Sequence, residues 1–404
     1  LRHLRRFHRL HPRLTSGEQR VSATGLSGME ALRRGDAQAA RKAFEAAIAG
    51  GAQDSTTLFG LAMACNNLGD WQTACDTLDR ALARDPYNLR ALILRGDILD
   101  RQGDTRSAAS FYSAALKAAG RAGPLPSDLI DGLTRAQNAL KNYEAAYEAH
   151  LRTTMAGQLG GDEPSRFALS LDLMFGKKKI YLQAPQFYFF PGLPQLQFYP
   201  RRQFEWLDQV EAATADIRAE LLAVLEEDGA FVPYVEGDPN RPFNPQHGML
   251  GNPDWSAFYF WKNGVLQEKN AARCPRTMAV LSQVPMPQIE GRTPTALFSL
   301  LRGKARIPAH HGFVNTRLIC HLPLIVPEGC GFRVGNDVRS WREGKAWVFD
   351  DTMEHEAWNN SDETRVILLF DIWRPELSEE ERAAVRALFA AIDAYGAGSA
   401  PWTA

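Results

Sequence analysis

Four of the nine histidines in this 404-residue chain lie within one window of 46 residues, at His310, His311, His321 and His355. A single histidine in a β-rich segment is usually a hydrogen-bonded structural residue, whereas four so close together indicate a metal site. Imidazole nitrogen suits iron, copper, zinc or nickel. The sequence contains no CxxC pair, which disfavours a structural zinc site, and the histidines are spaced too widely for an HExxH metalloprotease.

The carboxylate that commonly joins two histidines in non-haem iron oxygenases is missing from its usual place. That group normally lies two residues after the first histidine, and here the position is Gly312. The sequence alone does not decide whether one of the acids near His355 is a third metal ligand. These acids are Asp350, Asp351, Glu354 and Glu356. Spacing therefore predicts a metal site and leaves its ligand set undecided.

The residues around these histidines resemble one known family. The segments AHHGFVNTRLICHLPLIVPEGCGFRVGN and SWREGKAWVFDDTMEHEAWNNSDETRVILLFDIWRPEL, with GMLGNPDWSAFYFWKNG upstream, are similar to the catalytic core of the aspartyl/asparaginyl β-hydroxylases. The resemblance covers approximately residues 180–385 and rests on the H-x-G, FDD…EHE and Arg-after-His spacings. It implies a double-stranded β-helix, a jelly-roll or cupin-like fold, and an iron site that lacks the facial carboxylate, in agreement with Gly312.

By this resemblance His310 and His355 are the iron(II) ligands and catalytic residues, and His311 is an intervening residue. The implied reaction is the hydroxylation of an unactivated C–H bond by a dioxygenase that consumes 2-oxoglutarate and O₂ and releases succinate and CO₂. The expected target is an Asp/Asn-type residue of a peptide or protein, or a related amino acid. Because the family also acts on lipid acyl chains and free amino acids, the resemblance does not determine the substrate.

The resemblance also implies contacts to the co-substrate. It places 2-oxoglutarate on Ser299, His321 and Arg365, and an acidic substrate group on Arg317. The family offers an arginine two residues before the His321 position, where this chain has Ile319. One co-substrate contact is therefore missing or replaced.

The spacing of His355 and Arg365 gives a separate expectation. If the turn NNSDE joins two antiparallel strands centred near Ser361, His355 pairs with Ile367 and Ala357 pairs with Arg365. His355 and Arg365 would then share a face as diagonal neighbours, roughly 7–8 Å apart at the backbone. That separation suits a five-carbon diacid with iron at one end and a guanidinium at the other.

Two other functions remain open. The chain could be a repeat-based protein-binding module whose β domain has lost activity, for which Ile319 is the evidence. It could instead carry a zinc- or copper-binding jelly roll without oxoacid chemistry.

Short aromatic and β-branched runs separated by turn residues predict the elements that hold these side chains. The runs are AFYFWKNG, TRLICHLPLIV, GFRVGN, AWVFDD and TRVILLFDIW. They indicate an all-β sandwich or barrel. An amphipathic helix over approximately residues 204–225 interrupts the segment, and SEEERAAVRALFAAIDAY, capped by Ser378, closes it as a helix.

The first half of the chain is predicted to be an all-α solenoid. Gly-Asp pairs recur every 34 residues, at Gly35, Gly69 and Gly103. Alanines and large apolar residues keep the same phase, a pattern that resembles tetratricopeptide repeats. A degenerate fourth unit around Tyr143 is expected to cap the stack. An ordinary helical bundle is the alternative. Such repeats bind peptides or proteins on a concave face, although a purely scaffolding role is also open.

Composition predicts the remaining organisation. We expect a basic, poorly ordered N-terminus at residues 1–22, repeats at 23–155, a linker at 156–166 and the oxygenase domain at 167–404. A basic targeting or nucleic-acid-binding arm is the alternative for the N-terminus. A net charge of -1 disfavours nucleic acid as a partner, the absence of a long apolar run predicts no membrane span, and five cysteines without CxxC spacing favour a cytoplasmic location.

Overall fold

The computed structural model describes residues 23–159, 165–236 and 248–395, which form two compact units divided between Leu171 and Asp172. The basic segment expected at residues 1–22 lies outside the described residues, as do residues 160–164 of the expected linker. The rest of that linker holds a short 3-10 helix, Ala156–Gln158, and the first residue of the next helix. The boundary at residues 156–166 stays a prediction.

The first unit is a series of helices that pack on their sequence neighbours. They are α1 (Ala23–Arg33), α2 (Ala37–Ala49), α3 (Ser55–Asn67), α4 (Trp71–Arg84), α5 (Leu89–Arg101), α6 (Thr105–Ala119) and α7 (Ser127–Thr154), and α8 (Arg166–Met174) follows them. Among the helices of the described residues, none combines the length and apolar character needed to cross a membrane.

The Gly-Asp pairs form the turn inside each helix pair, as the repeat predicts. Gly35, Gly69 and Gly103 have φ angles of 78°, 78° and 81°, a left-handed conformation that glycine adopts without strain. The aspartate that follows caps the next helix. Asp70, for example, accepts a hydrogen bond from the backbone N–H of Thr73 at 3.2 Å. The dipeptide therefore ends one helix and begins the next.

The repeat positions also form the core of this unit. One alanine and one large side chain in each repeat are buried at the 34-residue period: Ala40, Ala74, Ala108, Phe44, Leu78 and Tyr112. The small residue lets neighbouring helices approach, and the large residue fills the space between them. The tetratricopeptide-like solenoid is confirmed.

The fourth unit differs from the expectation. The residues around Tyr143 lie in one continuous helix, α7, rather than in a helix pair. Its glycine, Gly132, keeps helical geometry and packs against Ile93. No Gly-Asp pair occurs at the phase where the turn would fall, so nothing ends the helix there.

The second unit contains two antiparallel sheets. Its strands are β1 (Val232–Pro233), β2 (Trp255–Lys262), β3 (Val265–Leu266), β4 (Ala296–Leu301), β5 (Arg306–His310), β6 (Arg317–Ile325), β7 (Cys330–Val334), β8 (Asp337–Arg339), β9 (Trp347–Phe349), β10 (His355–Asn359) and β11 (Arg365–Trp373). The larger sheet has the order β1-β2-β4-β11-β6-β9 with β3 paired to β2, and the smaller has the order β5-β10-β7-β8. The predicted all-β fold is confirmed.

Helices flank these sheets. They are α9 (Leu207–Ala212), α10 (Thr214–Leu225), α11 (Glu268–Arg273), α12 (Pro275–Leu281) and α13 (Glu379–Tyr395). The single helix expected over residues 204–225 is broken at Ala213, where the Thr214 hydroxyl donates to the Glu211 carbonyl at 2.6 Å. The predicted Ser378 cap is confirmed: Ser378 Oγ accepts from the Glu381 N–H at 3.2 Å.

Alternation along the strands separates a core face from a site face in the larger sheet. On β11, Val366, Leu368 and Phe370 join the cluster that also contains α10 and α12 residues. The intervening Arg365, Ile367 and Leu369 face the other way and line a cavity. The smaller sheet contributes apolar side chains to the second cluster, which lies on this cavity side. The two sheets therefore enclose the candidate site between them.

Candidate active site

One cavity of about 390 Å³ lies between the two sheets, and every predicted site residue lines it. These residues are Ser299, His310, Arg317, His321, His355 and Arg365. They come from strands of both sheets, β4, β6 and β11 in the larger one and β5 and β10 in the smaller one. The fold thus gathers residues that are up to 66 positions apart in sequence, from Ser299 to Arg365.

His310 and His355 form a polar pair in the wall of this cavity. They are directly paired across β5 and β10, and their ring centroids lie 4.1 Å apart. His310 Nδ1 lies 2.7 Å from the Pro308 carbonyl oxygen, and His355 Nδ1 lies 3.0 Å from that of Met353. We assign the proton of each ring to Nδ1, so that Nε2 is the nitrogen that carries the metal-binding lone pair.

The electrostatics favour a neutral ring at His355. Burial, followed by the proximity of His310, lowers the pKa of His355 well below its usual value. A neutral imidazole is the form that binds a metal. The arrangement is therefore a two-histidine site with its ring orientation held by backbone carbonyls.

The predicted hairpin between His355 and Arg365 is wrong. β10 pairs with β5 and β7 in the smaller sheet, whereas β11 pairs with β4 and β6 in the larger one. The intervening loop passes from one sheet to the other, and the Asn359 amide holds it by donating to the carbonyls of Leu301, Arg302 and Glu363. His355 and Arg365 still reach the same cavity, from opposite walls.

The structure shows which of the four acids near His355 could contribute a third metal ligand. Asp350 is buried in an ion pair with Arg374, at 2.9 Å. Glu354 and Glu356 both pair with Arg333. Asp351 alone of the four lines the cavity. Within the described residues, no group of three or more His, Cys, Asp or Glu side chains could hold a metal together.

Gly312 is required by this packing. A Cβ atom at Gly312 would lie 2.2 Å from Asp351 Oδ2, and the Gly312 N–H donates to the Asp351 carbonyl at 2.6 Å. A carboxylate side chain at position 312 therefore has no room. The Asp351 carboxylate occupies the space that such a side chain would need.

The inner end of the cavity is cationic. Arg365 is 1% exposed, and among the residues that the structure describes its Nε atom has no hydrogen-bond partner. Burial lowers the pKa of Arg365 to about 10. His321 is also buried, and burial followed by the nearby Arg365 lowers its pKa well below the usual value. Ser299 Oγ accepts from Trp255 Nε1 at 3.2 Å, so its own hydroxyl proton is available to a further acceptor.

Arg317 also lines the cavity and lies within a charged cluster. It donates to Asp371 at 2.9 Å and to Asp351 at 3.4 Å. Burial raises the pKa of Asp351 to about 7 and outweighs the attraction of Arg317. Arg317 therefore contributes a positive charge to the cavity wall. That charge already interacts with two carboxyl groups, those of Asp351 and Asp371.

Sequence reasoning missed several side chains of this site. Ile319, predicted as a lost contact, lines the cavity as a buried apolar residue opposite Phe349. Trp255, Trp341 and Tyr234 also line it, and none was assigned a role. Trp255 and Trp341 both lie in segments that carry the family resemblance, which was the available signal.

Comparison with known proteins identifies both units. The model of the family described as aspartyl/asparaginyl beta-hydroxylase matches residues 211–375, inside the segment expected at 180–385. The tetratricopeptide repeat model matches residues 26–88 and 67–124.

Three similar proteins illustrate the match of the second unit. The ornithine lipid ester-linked acyl 2-hydroxylase of Rhizobium tropici is 37% identical over 180 residues, 44% of this chain and 60% of that protein. The human aspartyl/asparaginyl beta-hydroxylase is 33% identical over 175 residues, 43% of this chain and 21% of that protein. Aspartate beta-hydroxylase domain-containing protein 2 of Xenopus tropicalis is 30% identical over 213 residues, 52% of this chain and 55% of that protein. Each match spans less than two thirds of the relative.

Solved structures similar to this chain include tetratricopeptide domains. The TPR2B domain of yeast Sti1, in a complex with pHsp70, matches 28% of this chain and 94% of that chain, with 21% identity and a TM-score of 0.26. The Yersinia enterocolitica chaperone SycD, in complex with a peptide of YopD, matches 31% of this chain and 92% of that chain, with 17% identity and a TM-score of 0.28.

The family matches, the confirmed repeats and the gathered site residues agree. This chain carries tetratricopeptide repeats followed by an aspartyl/asparaginyl β-hydroxylase domain.

Proposed function

We propose that the β-hydroxylase domain is an Fe(II)- and 2-oxoglutarate-dependent dioxygenase that hydroxylates an unactivated C–H bond. The observation that carries the proposal is that one cavity is lined both by a histidine pair oriented for metal binding and by the buried guanidinium of Arg365, whose Nε has no hydrogen-bond partner among the described residues. A metal ion and a dicarboxylate co-substrate are the ligands that these two features would take.

The donor set fits both groups. His310 and His355 would hold the iron through Nε2, because their Nδ1 atoms face backbone carbonyls. Arg365 would bind the distal carboxylate of 2-oxoglutarate, because its buried Nε has no partner among the described residues and a buried guanidinium is stabilised by an anion. When bound, iron(II) with 2-oxoglutarate and O₂ supplies the oxidising chemistry, with succinate and CO₂ as co-products.

The remaining residues would position and enclose the reactants. Ser299 offers a hydroxyl proton to a carboxylate, and the neutral ring of His321 offers an N–H beside Arg365. Aromatic walls from Phe332 and Phe349 exclude water from the inner end. Exclusion of water strengthens the attraction between Arg365 and a carboxylate.

For the substrate, we propose an Asp/Asn-type residue of a peptide or protein, or a related amino acid. Arg317 and Asp351 form a polar wall suited to a group that both donates and accepts hydrogen bonds. The repeats supply a surface of the kind that binds peptides. The relatives are named for different targets, a lipid acyl chain in one case and aspartyl or asparaginyl residues in another.

Succinate release tests this proposal directly. The 404-residue chain is supplied with iron(II), 2-oxoglutarate and O₂, together with Asp/Asn-containing peptides, free amino acids or acyl lipids in separate reactions. The expected result is succinate formation stimulated by a peptide or amino acid, with one oxygen atom gained by that compound. Absence of succinate with every class, in protein shown to contain metal, would favour the alternative of a repeat-based binding module, for which Ile319 is the supporting observation.

A further inference from the structure

Three buried side-chain nitrogens without a hydrogen-bond partner among the described residues belong to residues that line the cavity. In the part of the chain that the structure describes, Arg365 Nε, His321 Nδ1 and Trp341 Nε1 have no hydrogen-bond partner. The three side chains are 1%, 5% and 7% exposed, and all line the cavity. A buried polar group left without a partner costs about 1–3 kcal/mol. Three such groups converging on one space indicate that an anion completes their hydrogen bonding.

Trp341 is fixed against both of the other groups. Its ring lies 4.8 Å from the Arg365 guanidinium carbon, and its centroid lies 6.2 Å from that of His321. The ring also stacks on Phe332 at 5.5 Å and on Trp347 at 5.9 Å. A ring held from several sides presents its N–H with little loss of conformational entropy on binding.

We propose that Trp341 is a co-substrate-binding residue, whose indole Nε1–H donates a hydrogen bond to the carboxylate that Arg365 binds, while its ring face holds the guanidinium in place. This rests on the proposed use of 2-oxoglutarate. It adds a donor to a cavity in which Ile319 supplies none. The arrangement combines a cation–π contact with a charge-assisted hydrogen bond to the same ligand.

Trp347 provides a matched control. Its Nε1 atom is also buried without a partner in the described residues, and its ring stacks on Trp341 and Phe332. The cavity wall that the described residues form includes Trp341 but not Trp347. Trp347→Phe therefore removes the same chemical group from the same aromatic stack without removing a donor from the cavity.

Calorimetric titration of the full chain tests the proposal. Zn(II), which is redox-inert, takes the metal position, and the probes are 2-oxoglutarate and 2-oxopentanoate, which lacks the distal carboxylate. Trp341→Phe should weaken 2-oxoglutarate binding about tenfold or more, change 2-oxopentanoate binding less than about twofold, and Trp347→Phe should change neither. Unchanged 2-oxoglutarate affinity in Trp341→Phe, equal weakening of both probes, or equal weakening in Trp347→Phe would overturn the proposal. Failure of the wild-type protein to bind 2-oxoglutarate would instead overturn the proposed function.

A second measurement does not depend on how well the variant folds. In wild-type protein with ¹⁵N-labelled tryptophan and Zn(II), 2-oxoglutarate should shift one indole N–H resonance downfield, and 2-oxopentanoate should leave that resonance in place. The same response to both compounds would contradict a hydrogen bond to the distal carboxylate.

Discussion

His310 on β5 and His355 on β10 are cross-strand partners in the smaller sheet, and their ring centroids lie 4.1 Å apart. The residue next to the first of them, His311, also lines the cavity, and its backbone carbonyl accepts a hydrogen bond from Gln186 Nε2 at 2.8 Å. The pairing therefore separates His310 from His311 by role, although the two are neighbours in sequence.

His310→Ala should abolish turnover, with a loss larger than the 10–100-fold typical of removing a supporting residue around a metal. His311→Ala should keep activity within a few-fold, because it removes no side chain from the pair. Succinate release with saturating iron(II) measures both variants. An inactive His311→Ala with an active His310→Ala would mean that the ligand register is shifted by one residue.

Arg365→Met should separate binding from stability. Within the described residues no carboxylate forms an ion pair with the buried Arg365 guanidinium. Replacing it with an apolar side chain of similar length removes a desolvated charge, so the free energy of unfolding of ligand-free protein should stay the same or rise by about 1 kcal/mol. The same change should weaken 2-oxoglutarate binding by about 2–5 kcal/mol. Thermal unfolding and calorimetric titration measure the two effects.

Arg374→Met is the control for that variant. Arg374 is as buried as Arg365 but is paired with Asp350 at 2.9 Å, so its loss leaves an uncompensated buried carboxylate. We expect a destabilisation of about 3–5 kcal/mol. Equal destabilisation by Arg365→Met and Arg374→Met would contradict the proposal that the charge of Arg365 is compensated by a bound anionic ligand.

Asp351 should make stability depend on pH. Its pKa is raised by burial from 3.8 to about 7, so the folded protein holds a proton that the unfolded chain releases between these values. This contribution to stability is complete below about pH 4 and is lost as the pH rises to about 7, at up to about 1.4 kcal/mol per pH unit. Urea unfolding of wild type and Asp351→Asn at several pH values measures it.

The difference in stability between wild type and Asp351→Asn cancels the titration of the other groups. Wild type minus variant should fall steadily from about pH 4 to pH 7 and then level off. A difference that stays flat over this interval and rises with pH only below about pH 4 would show that the Arg317 ion pair outweighs the burial of Asp351.

Gly96→Ala tests the packing of the repeats. A Cβ atom at Gly96 would lie 2.5 Å from Tyr112 Cε1, so the substitution should destabilise the protein by about 1–3 kcal/mol despite the better helix propensity of alanine. The equivalent position one repeat earlier is Ala62, where the large partner is the smaller Leu78. Tyr112→Leu should therefore rescue Gly96→Ala in a double mutant, and failure of that rescue would argue against this packing.

Features that depend on interactions between residues close in sequence were predicted correctly, whereas a strand pairing that depends on distant residues was not. The Gly35, Gly69 and Gly103 turns depend on local conformation, so the 34-residue period was enough to predict them. The pairing of His355 depended on whether the loop after Asn359 turns back within one sheet or crosses to the other, and loop composition alone does not distinguish these paths.

The same distinction applies to the site: the identities of its residues could be predicted, but the contacts between distant segments could not. The resemblance carried over side chains that the structure gathers in one cavity, such as His310 and Arg365. It could not show that Asp351 fills the space beside Gly312, because that contact joins two distant segments. Nor could it show the unpaired N–H of Trp341, which depends on how the segment between β8 and β9 packs on Phe332.

The central claim is that His310 and His355 hold iron in the cavity whose far end binds 2-oxoglutarate. Anaerobic titration of the full chain with iron(II) and then 2-oxoglutarate, followed by visible absorption, tests it most directly. We predict a weak charge-transfer band that requires both additions, persists in His311→Ala and disappears in His310→Ala and in His355→Ala. No band in metal-replete wild-type protein, or a band that survives both of the latter substitutions, would contradict the claim.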